Sequence, residues 1–231
     1  YHAVMQEPAA RCTRITNIGE GRTRALIKCA VVPQFGQFML ARYWPGLDPY
    51  LSSVVFPAAL TSDGFALELP SSDPTLPHLI PGADVALAGP FGKPVPTRLQ
   101  PNNHVLIICS HSPHRMLPLA QHTLGVGADV TVLLEKQYPL QNLDARIEAH
   151  QGDLLTLLGD HLAWAEKVFI DCLPKPKIQS ALKPLAEDSY ALFSETLPCG
   201  TGACQGCLVQ IRQGWQLACV NGPFFCLSEL D

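Results

Sequence analysis

Residues 199–207 read Cys199-Gly200-Thr201-Gly202-Ala203-Cys204-Gln205-Gly206-Cys207, and Cys219 follows after eleven intervening residues. The first three cysteines have the C-x4-C-x2-C spacing of plant-type 2Fe–2S sites, with the fourth thiolate arriving from further along. Two irons need four converging thiolates, so three come from a tight loop and one from a neighbouring segment. Gly200, Gly202 and Gly206 allow positive φ and let backbone N–H groups approach the cluster sulfurs, where hydrogen bonding tunes potential. Structural zinc is the main rival for four thiolates, although zinc ribbons favour two separated C-x2-C pairs. Disulfides suit exported chains, and an odd total of nine cysteines with no secretory h-region argues against them.

The elements that position this loop divide the chain in three. Short runs at Cys12–Ile18, Thr23–Val32, Gln37–Tyr43, Ser52–Phe56, Gly64–Leu69 and Asp84–Gly89 are punctuated by glycine and proline turns. They predict an antiparallel β-barrel over residues 1–98. From residue 99 to 193 the rhythm changes. Strands at Val105–Cys109, Ala128–Leu134, Arg146–His150 and Lys167–Cys172 alternate with helical spacing at 115–124, Leu154–Ala165 and Ile178–Glu187. Alternation of this kind predicts a doubly wound parallel sheet. Pro184 falls inside the last helix and weakens it. Residues 194–231 form the small cluster-binding segment.

Composition narrows the function. The 231 residues are 47% apolar and 16% charged, with 16 basic and 20 acidic residues giving a net charge of −4. Few charges suggest a surface partly covered by a partner, and the absence of a basic run argues against nucleic acid. No apolar stretch approaches the length of a membrane span, so the expectation is a soluble, cytoplasmic protein.

The stretch Glu195-Thr196-Leu197-Pro198-Cys199 through Cys207, with Ala218-Cys219-Val220-Asn221-Gly222-Pro223-Phe224-Phe225, resembles the cluster-binding end of the electron-transfer subunits of iron–sulfur dihydroorotate dehydrogenases. The resemblance extends to the domain order, with Gly36-Gln37-Phe38 and Gly89-Pro90-Phe91-Gly92 in the barrel. It implies a ferredoxin-reductase-like chain with FAD in the barrel, a pyridine nucleotide or electron donor at the α/β domain, and a catalytic oxidoreductase partner. Two departures bear on those cofactors. The family's FAD-binding arginine pair, followed by proline and a hydroxyl residue, corresponds to Ser52, Ser53, Val54, Val55 and Phe56 in the stretch 48–56. Serine cannot supply the charge that a pyrophosphate meets in an arginine fork. After strand Val105–Cys109 the family's glycine-rich turn becomes Ser110-His111-Ser112-Pro113-His114-Arg115, without glycine and with one donor removed by Pro113. NAD binding is therefore expected to be lost and FAD binding weakened or lost, with Gly89 and Gly92 left as the positions that permit a close flavin approach.

His111 and His114 read as solvated loop residues and Arg115 as a surface arginine at a helix start. Cys12, Cys29, Cys109 and Cys172 read as core thiols, and Cys226 as a small apolar residue near the terminus. Trp215 is placed at the tip of the hairpin between the third and fourth ligands, and Asp171 at the strand end where doubly wound sheets contact ligands. No hydrolytic constellation stands out. The leading expectation is a one-electron relay subunit in a hetero-oligomer. A flavin-dependent NAD(P)H oxidoreductase and a non-redox zinc scaffold are the alternatives.

Overall fold

The computed structural model describes residues 7–43, 52–74, 76–111, 113–193 and 197–230. Residues 48–51, Ser112, Glu195 and Thr196 of the motifs above lie outside them. Strands β1 (Ala9–Gly19), β2 (Arg22–Cys29), β3 (Phe38–Arg42), β4 (Ser53–Val55), β5 (Ala59–Thr61), β6 (Gly64–Pro70) and β7 (Asp84–Phe91) form one antiparallel sheet. Their order is β4-β3-β7-β1-β2-β6-β5, so the two outermost strands are consecutive in the chain and the sheet curls back on itself. The burial of β2 and β7 alternates, as a half-buried strand requires. β5 escapes the sequence reading because its three residues are too few for periodicity.

The second sheet comprises β8 (His104–Cys109), β9 (Asp129–Leu134), β10 (Glu148–Gln151), β11 (Lys167–Ile170) and β12 (Tyr190–Leu192), in the order β10-β9-β8-β11-β12 and parallel throughout. β8 is buried at five of six positions, which is why it reads as a continuous apolar run. Helices α1 (Leu117–Gly125), α2 (Leu154–His161) and α3 (Pro176–Leu182) connect the strands. Pro118 is tolerated in the first turn of α1, whereas α3 gives way to a 3-10 turn at Lys183, next to Pro184. Asp153 caps α2 by accepting the Thr156 N–H at 3.0 Å. No helix among the described residues is long and apolar enough to cross a membrane.

The C-terminal segment is built into this frame. A hairpin of β13 (Leu208–Ile211) and β14 (Gly214–Leu217) leads to the single turn α4 (Ala218–Asn221). β15 (Phe224–Cys226) then pairs antiparallel with β12 as the sixth strand of the second sheet. One core joins Phe38, Phe56 and Phe91 of the barrel to β8, β9 and β11 and to Cys207, Val209, Ala218 and Cys219. The cysteine loop is thus held by both sheets.

Candidate metal centre

The four cysteines come together as two pairs. The sulfurs of Cys207 and Cys219 are 3.2 Å apart, both residues being buried. Cys199 is half-buried and hydrogen-bonded to the thiol of Cys204, which is exposed. Hairpin β13–β14 makes the first pair, because Cys207 precedes its first strand and Cys219 follows its second at the same open end, where the Ala218 N–H donates to the Cys207 carbonyl at 2.9 Å. Among the described residues, no three of these sulfurs gather within 4.8 Å of one another. A single tetrahedral zinc would hold all four about 3.8 Å apart, from a Zn–S bond of about 2.3 Å.

Backbone donors point at the sulfurs. The Gly206 N–H donates to Cys204 Sγ and the Cys219 N–H to Cys207 Sγ, each at 3.4 Å. Burial raises the Cys199 thiol, but the N–H groups of Cys204 and Thr201, with the Cys204 thiol and the Thr201 hydroxyl, outweigh it and bring the pKa down to about 6. Burial, then the hydrogen bond and charge of Cys207, push Cys219 up to about 12 despite a donor from Gly202. The residues fit a cluster with two open thiolate pairs, one at the surface and one enclosed.

Gly200 has φ +69°, and a Cβ there would meet the Phe91 ring at 2.6 Å. Gly202 also has positive φ, but in the C-x2-C step the left-handed residue is Gln205, with φ 55°, rather than Gly206. Gly89 and Gly92 make their close approaches to protein. A Cβ on Gly92 would meet Pro223 Cδ at 2.7 Å, and one on Gly89 would meet Met39 Sδ at 2.9 Å. The Gly89–Gly92 turn buttresses the cysteine loop, with the Lys93 N–H donating to the Gly222 carbonyl at 2.6 Å.

His114 and Arg115 differ from expectation, because both turn inward. The Arg115 guanidinium lies 5.3 Å from the centre of the Phe56 ring, and His114 Nδ1 is 3.3 Å from Arg22 Nη2. Desolvation, with the charges of Arg115 and Arg22, holds His114 well below the usual imidazole range. Beneath them Glu68, whose side chain is fully buried on β6, accepts from Arg24 and from the Tyr138 hydroxyl at 3.1 Å. The gap left beside β4 is about 40 Å³, against roughly 300–1,000 Å³ for a small-molecule site. Among the described residues, the side chains of His114 and Arg115 occupy the space beside Phe56.

The turn after β8 is held by a different device. Beyond the C-terminal ends of β8 and β11, where the strand order reverses, lies a crevice of about 740 Å³ lined by Ser110, His111, Asp171 and Cys172. The Asp171 carboxylate accepts the N–H groups of Ser110 at 2.8 Å and His111 at 2.9 Å. The donors that a phosphate would meet after β8 are therefore taken by a side chain of the chain itself. His111 is exposed, as expected. Cys172 is half-buried at the crevice rather than a core thiol, while Cys12, Cys29 and Cys109 are buried. The Cys226 thiol contacts the Ala186 carbonyl at 3.2 Å, beside β12. Trp215 is 65% exposed on β14, opposite Gln210 and one pair from the hairpin turn.

Residues 194–231 match the family model described as the iron–sulfur cluster binding domain of dihydroorotate dehydrogenase B. The electron-transfer subunit of NAD(+)-type dihydroorotate dehydrogenase B from Fusobacterium nucleatum is 25% identical over 65 residues, 27% of this chain and 25% of that protein. The match thus spans about a quarter of the curated relative's length. The structure of an NADH-dependent reduced ferredoxin-NADP oxidoreductase, determined for flavin-based electron bifurcation, superposes with TM-score 0.72 at 17% identity. It covers 96% of this chain and 89% of that one. The CS-b5R domains of human Ncb5or in the NAD+ form give TM-score 0.63 at 12% identity over 82% and 70% of the two chains. The chain therefore has a ferredoxin-reductase-like fold ending in a segment that matches the iron–sulfur cluster binding domain of dihydroorotate dehydrogenase B.

Proposed function

We propose that this chain is an electron-transfer subunit that holds a 2Fe–2S cluster on Cys199, Cys204, Cys207 and Cys219 and exchanges single electrons with a catalytic oxidoreductase partner. The observation that carries this reading is the sorting of four sulfurs into two pairs. When bound, such a cluster supplies a one-electron carrier whose potential responds to hydrogen bonds and exposure. The chain's residues do the rest. Cys207 and Cys219 anchor the enclosed side, Cys199 and Cys204 hold the side that reaches solvent, and the N–H groups of Gly206 and Cys219 donate to sulfur. Phe91 packs under Gly200 and fixes the loop against the barrel.

In this reading residues 1–98, 99–193 and 194–231 act as barrel, α/β and cluster units. The first two serve as a rigid mount rather than as a flavin and nicotinamide reductase. The side chains of His114 and Arg115 fill the space beside Phe56, and Asp171 caps the turn after β8. Electrons then arrive from a neighbouring subunit. Cysteine substitution tests the assignment. Cys204→Ala is expected to lose the reduced-cluster EPR signal and most of the iron, while Cys226→Ala keeps both. Full iron content in Cys204→Ala, or equal loss in Cys226→Ala, refutes the ligand set. Tight stoichiometric FAD in the purified protein, or cluster reduction by NADH without added proteins, refutes the role of the mount.

A further inference from the structure

At the edge of the second sheet farthest from the cysteines, Glu148, His150 and His161 each present one ligand atom within 4.8 Å of the others. We infer that these three residues form a binding site for a borderline divalent cation of the Zn2+ class. Glu148 and His150 are two apart on β10, so both side chains leave the same face of the strand. His161 closes the set from the last residue of α2. Glu148 Oε1 lies 2.8 Å from His150 Nε2, and the rings of His150 and His161 are 4.4 Å apart.

Two further observations separate this group from an ordinary surface ion pair. His161 Nδ1 is buried and has no hydrogen-bond partner among the described residues. Such a nitrogen is costly to leave unsatisfied, and the described residues offer it no partner. The other carboxylate oxygen, Glu148 Oε2, accepts the hydroxyl of fully buried Thr131, its neighbour across the ladder, at 3.1 Å. A ligating carboxylate oriented by an outer hydrogen bond is the usual support of a built metal site. The Trp164 ring meets His161 edge-on at 5.4 Å and braces it. Two imidazoles and one carboxylate suit Zn2+ with a fourth position left to water or to a partner's side chain. Glu148 and His150 are partly exposed, which gives the ion a path in.

The cluster lies on the β15 side, five strand spacings or about 24 Å across the sheet, so the two sites load separately. The test uses the cluster-loaded protein, in which the four cysteines are occupied, titrated with Zn2+ against a chromophoric chelator. One saturable equivalent is expected, with the cluster's EPR signal unchanged. His150→Gln and Glu148→Gln should each weaken binding by about 100-fold, and Thr131→Val by about 10- to 100-fold. Co2+ in the same site should give weak d–d bands without thiolate-to-cobalt charge transfer. Absence of a saturable equivalent, unchanged affinity in His150→Gln, or a thiolate charge-transfer band would each overturn the inference. His150 lies on an exposed edge strand, so an unchanged melting curve for His150→Gln separates loss of a ligand from loss of fold.

Discussion

Replacing Gly200 by alanine tests how the barrel holds the cysteine loop. Two costs combine at this position. The backbone sits at φ +69°, where a Cβ costs about 1–2 kcal/mol. The added methyl would also lie 2.6–2.8 Å from three atoms of the Phe91 ring. That ring is 4% exposed and packs on Phe38 at 5.7 Å, so it cannot swing away, and overpacking of this kind costs about 1–3 kcal/mol. Gly202 supplies the control. It lies in the same loop at φ +82°, but its Cβ would meet only the side-chain ends of Val220 and Leu217, at 3.0 and 3.1 Å. The difference between the variants isolates the ring clash, and 1–3 kcal/mol corresponds to about 5- to 160-fold in rate. Bleaching of the cluster at fixed urea is the assay. Gly200→Ala should lose colour faster than Gly202→Ala by that factor, and Phe91→Leu added to Gly200→Ala should slow the loss. Equal rates for the two glycine variants, or no rescue by Phe91→Leu, would refute the packing argument.

Three further outcomes follow from the same contacts. Glu68→Gln leaves Arg22 and Arg24 facing each other without the buried carboxylate and should cost about 3 kcal/mol, read as a lowered urea midpoint. Because the folded pKa of His114 is depressed by desolvation and by Arg115 and Arg22, the unfolded chain takes up the proton first as pH falls below about 6.5. Stability should drop there by up to about 1.4 kcal/mol per pH unit, and His114→Gln should flatten the profile; an unchanged slope would place the ring in solvent. Asp171→Ala frees the N–H groups of Ser110 and His111, so nucleotide affinity, measured by NADH fluorescence, should rise; no change would show that other groups close the crevice.

The cysteine motif was legible because its information is local, three cysteines in nine residues and the fourth one hairpin away, within the segment that matches an iron–sulfur cluster binding domain. The doubly wound sheet was legible for a similar reason, since β8, β9 and β11 are short apolar runs separated by helical spacing. What the sequence hid depends on long-range partners. Arg115 reads as a surface residue until Phe56, 59 positions earlier, supplies a ring for it. Glu68 sits in a strand whose residue types alternate, and only Arg22, Arg24 and the distant Tyr138 explain its full burial. Asp171 is at the strand end where doubly wound sheets contact ligands, and its partners are N–H groups of the chain itself. The pairing of sulfurs is a matter of distance between segments and has no sequence counterpart.

Metal and sulfide analysis of anaerobically purified protein, with EPR after one-electron reduction, distinguishes a 2Fe–2S cluster from zinc on these cysteines. Two irons and two acid-labile sulfides per chain are expected, with a single S = 1/2 signal that integrates to one spin. One zinc per four cysteines, or iron without labile sulfide, would contradict the 2Fe–2S assignment.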